Sequence, residues 1–278
     1  MAITFDDLPA HGDLPPGQSR LDVATSILKT LAAARMPEVY GFINAGKLES
    51  HPEDISVLRA WRAAGEPLGN HTWSHMDLNK HSVEEYEADI VKNESPLASL
   101  MGNENWHWFR YPFLWEGDTL VKRHAIREFI RTRNYRIAQV TMDFEDYLWN
   151  APYARCVAKD DHKSIAWLRS TYLSTADQYL SLYRDISRTL YGRDIRYVLL
   201  LHVGAFDARM LPDLLALYKS RGFNFITLRD AQQDPAYAGD PDLPLKYGGT
   251  LLEQMMAARR LKIPDNTKPY RELDAACR

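Results

Sequence analysis

Long apolar runs are missing from this chain. No stretch approaches the 18 residues that a membrane-crossing helix needs, so no span is expected. Basic clusters are missing too. Lys and Arg number 34 against 37 Asp and Glu, the formal charge is −3 and the pI is near 6.3. Basic residues gather only in short runs such as Arg259-Arg260. A polyanion partner needs a concentrated positive face, so nucleic acid is not expected. Cysteine is scarce, and Cys156 and Cys277 leave two readings open, one bridge or two free thiols. Internal repeats and low-complexity linkers are also absent.

What is there is globular. An apolar content of 45% and a charged content of 26% are ordinary for a soluble domain. A chain of 278 residues, one large domain or two small ones, can bury about three quarters of its unfolded surface. Met1 is followed at once by the strand-like Ala2-Ile3-Thr4-Phe5, with no room for a leader. A catalytic strand rarely begins at an initiator methionine. The expectation is therefore an upstream natural start with the leader trimmed, and a periplasmic or extracellular location; a cytoplasmic protein is the alternative.

Short apolar runs alternate with amphipathic helical stretches. Strands are expected at Ala2–Phe5, Val39–Ile43, Pro67–Asn70, Trp108–Tyr111, Ile137–Thr141, Tyr197–His202 and Asn224–Leu228. Helical patterns fall near 20–35, 53–64, 83–101, 118–133, 164–191, 208–221 and 250–261. Regular alternation argues an α/β fold with parallel strands, a distorted (β/α)7-type barrel. Chemistry in such barrels sits at the C-terminal strand ends. Asp6 and Asp7, His71, Arg110, Asp143 and Asp146, and His202 all fall there.

Asp6-Asp7 and His71-x-x-x-His75 together supply two nitrogen donors, a carboxylate ligand and a spare carboxylate to act as base. Three protein ligands with an open fourth position are typical of catalytic zinc. Taken alone, the histidine pair also fits two solvated residues on one helix face. A helix cap explains one of the two acids, but adjacent like charges repel unless a cation relieves them.

Five segments now combine. Thr4-Phe5-Asp6-Asp7, His71-Thr72-Trp73-Ser74-His75, Phe109-Arg110-Tyr111-Pro112-Phe113, Asp143-Phe144-Glu145-Asp146-Tyr147 and Leu200-Leu201-His202 occur in that order. In these the chain resembles the polysaccharide deacetylase family (the NodB-homology group, carbohydrate esterase family four), over residues 2 to about 230. The resemblance implies a catalytic domain at 1–230 and does not explain 231–278, whose prolines and Tyr247-Gly248-Gly249 read as a C-terminal extension wrapping the same domain. It implies that Asp7, His71 and His75 ligate one divalent metal, zinc first, with cobalt, nickel or manganese as alternatives. Asp6 would be the general base toward the attacking water, and His202 the general acid toward the leaving group. Arg110 would orient Asp6, and Asp146 would keep His202 protonated. The backbone N–H of Phe113 would stabilise the oxyanion, Leu200 would wall the acetyl pocket, and Tyr147 would border the groove. The activity implied is removal of N- or O-acetyl groups from an acetylated carbohydrate, with the oligomeric state open.

The residues keep plainer readings beside these: Arg110 as a structural ion pair, Asp146 as a helix cap, His202 as a core histidine. An arginine beside Asp6 is expected to keep it ionised, and an aspartate beside His202 to raise the ring's pKa. Tyr147 stands where the family usually has Trp, and Phe113 where Tyr is commoner. From Asp146 to His202 the chain runs 56 positions, longer than expected, so the intervening segment is expected to shape substrate access. Trp73, Trp106, Trp108, Trp115 and Trp149 lie near the motifs, each weighted toward core over sugar-stacking subsite. His11 could contact substrate or have no role. Two other functions compete: a relative cleaving a non-acetyl or non-sugar bond, and a non-catalytic carbohydrate-binding protein. Both would be expected to lose a ligand, base or acid, and none is missing here.

Overall fold

A computed structural model describes all 278 residues. Six parallel strands form one sheet in the order β5-β4-β3-β2-β1-β6. They are β1 (Ala2–Leu8), β2 (Tyr40–Ile43), β3 (Leu68–Asn70), β4 (Trp108–Phe109), β5 (Arg136–Ile137) and β6 (Val198–His202). β1 and β2 are buried along their whole length, as parallel strands covered on both faces must be. The main core cluster gathers Ile3, Phe5 and Leu8 of β1 with Trp61, Leu199 and Leu201.

The seven-strand expectation is corrected to six. Asn224–Leu228 makes only two bonds beside β1, from the Met1 amino group to the Asn224 carbonyl (2.8 Å) and from Ile226 N–H to Met1 (3.0 Å). Thr227 then accepts from Asp230 N–H and starts the helical turn Leu228–Ala231, which ends any ladder. The expected strand Ile137–Thr141 is split. Its start pairs with β4, while Thr141 and Met142 turn to β6, both donating to the Val198 carbonyl at 3.0 Å. The Met142–Leu199 bridge brings the two sheet edges together, so the sheet curls into a distorted α/β barrel.

Helices form where the apolar periodicity and caps coincide. Ser19 with Asp22, Ser82 with Glu85 and Thr250 with Glu253 are reciprocal capping boxes. The helix expected over 83–101 breaks at Asn93 into Val83–Lys92 and Glu94–Met101. Asn93 turns inward instead, donating to the Ile43 carbonyl (2.8 Å) and Asn70 Oδ1 (2.9 Å) and accepting from Ala45 N–H (3.0 Å). The 30-residue helix His162–Tyr191 fills most of the long segment before β6 and ends at Gly192, whose φ of +71° suits the left-handed cap.

The C-terminal segment lies across the barrel rim. Asn79 Nδ2 donates to the Lys246 carbonyl (2.9 Å), Leu245 N–H to Gly117 (3.2 Å) and Leu251 N–H to Val140 (2.7 Å). Helix Leu251–Ala258 packs on the long helix. The cysteines form one disulfide, Cys156–Cys277, spanning 121 positions, which decides between the two readings left open by their count. No helix is long and apolar enough to cross a membrane.

Replacing Cys277 by serine should lower the unfolding free energy by about 2–4 kcal/mol, the usual effect of losing a bridge across a long loop. Urea titration with and without reductant reads this. An unchanged midpoint in Cys277→Ser would contradict it.

Candidate metal and acid–base site

Neighbouring residues of a regular strand point to opposite faces, so Asp6 and Asp7 should diverge. β1 avoids this with a bulge. Phe5 pairs with Gly41 and Leu8 with Ile43, three steps on β1 against two on β2. Asp7 takes up the extra residue at φ +68°. Both carboxylates consequently line one cavity of about 630 Å³ at the C-terminal rim.

Asp7 Oδ1 lies 3.3 Å from His75 Nε2 and 3.6 Å from His71 Nε2. Although buried, it has no hydrogen-bond donor. His71 Nδ1 sits 2.8 Å from the Arg110 carbonyl. That contact requires Nδ1–H, which leaves the Nε2 lone pair for Asp7's side of the ring. Burial lowers the pKa of both histidines and keeps them neutral, as ligands must be. Burial alone would raise Asp7. Lys47, then His75 and His71, outweigh it and hold the carboxyl well below the usual range. A buried carboxylate oxygen without a hydrogen-bond donor, facing the Nε2 atoms of two neutral imidazoles, fits a divalent cation, and one donor atom from each of the three residues lies within 4.8 Å of the others.

The segment holding the histidines is a loop, so the reading of two solvated residues on one helix face does not hold. Thr72 and His75 both have positive φ (62° and 57°). Such backbone persists only where its surroundings over-determine it. Asn44 Nδ2 donates to the His71 carbonyl (2.5 Å), Thr72 N–H to Asn70 Oδ1 (2.9 Å), and Ser74 N–H and Oγ to Asp89 Oδ2 (3.0 and 3.1 Å).

Register brings the remaining groups in. Asp6 on β1 lies opposite His202 on β6. Arg110, buried over the Phe42 ring, donates from Nη1 to both Asp6 oxygens (3.1 and 3.2 Å) and from Nε to the Ala138 carbonyl (2.6 Å). Arg110 therefore does pair with Asp6, but burial outweighs it and raises the carboxyl to about 6. Asp146 accepts from His202 N–H and from Nδ1, both at 2.7 Å, leaving Nε2 as the ring's free nitrogen. Burial would lower the His202 pKa. The charge and hydrogen bond of Asp146, helped by Asp7 and Asp6, overcome it and raise the pKa to about 10. Asp207 is buried behind this pair, bonded to Asn150 Nδ2 (2.7 Å) and Tyr172 OH (3.1 Å). Burial and the Asp146 charge push its pKa well above the usual carboxylate range. At neutral pH the cavity therefore holds an ionised Asp6 beside a protonated His202, a base and an acid on one rim.

Phe113 (φ +58°), Leu200 and Tyr147 line the same cavity. His11 does too, with Nε2 3.6 Å from Asp7 Oδ2 and its ring centroid 4.7 Å from that of His202. Trp115 alone of the five motif tryptophans reaches the cavity; Trp108 and Trp149 are core. Sequence reasoning missed Lys47, whose Nζ donates to the Asp7 and Ala10 carbonyls (3.0 and 2.9 Å). Its place just past β2 was the available signal. It also missed Lys268 and Tyr270, and it read Tyr247 with Gly248-Gly249 as part of the wrapping tail and not of the site. A larger concavity of about 880 Å³, between Trp108 and Asp242, lacks such a donor set. Its Arg127 and Arg131 are paired with Asp240 and Glu128.

Residues 1–125 match the family model described as polysaccharide deacetylase. A peptidoglycan-N-acetylglucosamine deacetylase of Bacillus cereus is 26% identical over 147 residues, which is 53% of this chain and 46% of that protein. The chain spans less than half the length of the curated relatives it matches. Among solved structures, the chitin deacetylase of Colletotrichum lindemuthianum superposes with a TM-score of 0.55 at 21% identity, covering 83% of this chain and 85% of that one. A CE4 family pseudoenzyme from Bacillus anthracis does so at 0.55 and 12%, covering 83% and 64%. At these identities the two structures establish the shared fold.

Asp146→Asn removes the nearest negative charge from His202, with Asp6, Asp7, His11 and Asp207 left around it. The ring's pKa should fall from about 10 toward its ordinary 6.5. An NMR titration of metal-free protein reads this directly; an unmoved His202 would show that Asp146 does not govern the ring.

Proposed function

We propose that this chain, which belongs to the polysaccharide deacetylase family through its first 125 residues, is a metal-dependent hydrolase that removes acetyl groups from a carbohydrate. The observation that carries the reading is the Asp7, His71 and His75 donor set sharing one cavity with a base and an acid. Bound there, a divalent ion, zinc first and cobalt, nickel or manganese as alternatives, would polarise the acetyl carbonyl and make water acidic near neutral pH. Asp6, ionised above pH 6 and aligned by Arg110, takes the proton of the attacking water. His202, held by Asp146, gives a proton to the leaving nitrogen or oxygen. The Phe113 N–H supports the developing oxyanion. Leu200 walls the methyl group and Tyr147 borders the sugar. Amide and ester substrates share this tetrahedral chemistry.

The pseudoenzyme likeness favours testing a second reading, a carbohydrate-binding protein without turnover. Retention of base, acid and all three donors supports the catalytic one. The disulfide supports an oxidising compartment, outside the cytosol. Residues 231–278 serve, on this reading, as an extension of the catalytic domain.

Acetate release from acetylated oligosaccharides, with and without a chelator, tests the function. Release that survives complete chelation, or no release from any of them with the metal bound, would sink it. Two substitutions separate the acids. Asp6→Asn should keep the metal and lose at least about 100-fold in kcat, since an amide cannot accept the water's proton. Asp7→Asn and His75→Ala should instead lose the metal, read by elemental analysis of dialysed protein. Full metal content in Asp7→Asn, with loss in Asp6→Asn, would reverse the two roles.

A further inference from the structure

The four exposed aromatic side chains of this protein all stand around one cavity. Tyr247 is 69% exposed, Tyr270 51%, Phe113 49% and Tyr147 37%, and each lines the space above Asp6 and Asp7. Every other aromatic ring is at least partly buried. Leaving such a ring in water forfeits about 1.5–3 kcal/mol of burial. Four of them collected at one mouth mark a recognition surface. Two come from the barrel rim and two from the C-terminal segment, which is bound to the rim by specific contacts.

On one side the peptide at Gly248 lies directly on the 114–115 loop: a Cβ there would fall 2.1 Å from the Leu114 carbonyl oxygen. The rings of Phe113, Trp115 and Tyr247 then form a continuous wall, with successive centroids 4.8 and 6.4 Å apart. On the other side Glu145 is the anchor. Its Oε2 accepts from Tyr270 OH at 2.7 Å and pairs with Lys268 Nζ at 3.0 Å. Glu145 sits at φ +58° between Asp143 and Asp146, so the tail is tied to the same turn that positions His202.

We propose that the C-terminal segment turns the barrel rim into a pocket for a short acetylated saccharide, with Tyr247 and Tyr270 as stacking platforms for the sugar rings flanking the reactive one. This rests on the deacetylase reading and adds its substrate class. A pyranose presents C–H groups on its faces and hydroxyls on its edge. The aromatic faces meet the first, and Glu145 and Lys268 meet the second. A cavity of about 630 Å³ lies within the range of small-molecule pockets and holds a few rings at once, between the Phe113–Trp115–Tyr247 wall and the Glu145–Tyr270 side.

The test compares β-linked N-acetylglucosamine mono-, di- and trisaccharides with the insoluble polymer. In the wild type kcat/KM should rise with each added ring, and be at least about tenfold lower on the polymer than on the trisaccharide. Tyr247→Ala and Tyr270→Ala should each raise the trisaccharide KM about 3- to 10-fold, the range expected of one aromatic contact, with kcat held within about twofold. Tyr247→Phe should restore the wild-type KM. An unmoved KM in both alanine variants, or equal rates on polymer and trisaccharide, would overturn the proposal. Calorimetric binding of the trisaccharide separates the two readings. Binding weakened by Tyr247→Ala in a protein that releases no acetate supports the platforms and sinks the hydrolase; acetate release with binding unchanged in that variant does the reverse.

Discussion

Two carboxylates on consecutive residues of a buried strand are the constraint around which this molecule is arranged. A regular β1 would send one of them into the packed wall of the barrel, at a cost that burial of an unpaired charge makes prohibitive. The bulge between Phe5 and Leu8 turns both to the rim, and the neighbouring elements answer with positive charge. Arg110 after β4 meets Asp6, Lys47 after β2 meets Asp7, and the neutral imidazoles of His71 and His75 converge on the same Asp7 oxygen that faces Lys47. Several strands meet at that pair of acids, so its geometry is supported from every side.

The same burial gives the two proton-transfer groups their states. Asp6 is raised to about 6 because desolvation outweighs its arginine, while His202 is raised to about 10 because Asp146 outweighs desolvation. Both shifts run upward, yet they leave one group ionised and the other protonated at neutral pH. Asp207 extends the arrangement one layer deeper. Burial and the Asp146 charge both push the Asp207 carboxyl toward its neutral form, which favours Asp146 as the charged partner of the histidine.

The C-terminal segment belongs to the site physically, though it lies far from it in sequence. Hydrogen bonds at Asn79, Gly117 and Val140 hold its first part across the rim, Glu145 holds its middle, and the Cys156–Cys277 bridge holds its end. An extension tied at so many points acts as wall rather than as tether, which is why its tyrosines can remain exposed and still be placed.

Much of this was legible in the chain alone. Apolar alternation located all six strands, and the residues in or after their C-terminal ends, Asp6, Asp7, His71, Arg110, Asp146 and His202, follow from the rule that barrel chemistry sits there. Local pattern carries that information because strand and helix periods are properties of short segments. Tertiary structure decided the rest. The β1 bulge depends on pairing with β2, and the closing turn of Thr141 and Met142 onto β6 depends on an edge 57 residues away. The loss of the seventh strand depends on Thr227 choosing a helical cap over a ladder. The balance between burial and charge at Asp6 exists only once the barrel is closed. Tyr247, Lys268 and Tyr270 have no signature of the site in their own neighbourhood, because what makes them part of the site is contact with Leu114, Trp115 and Glu145 across the fold.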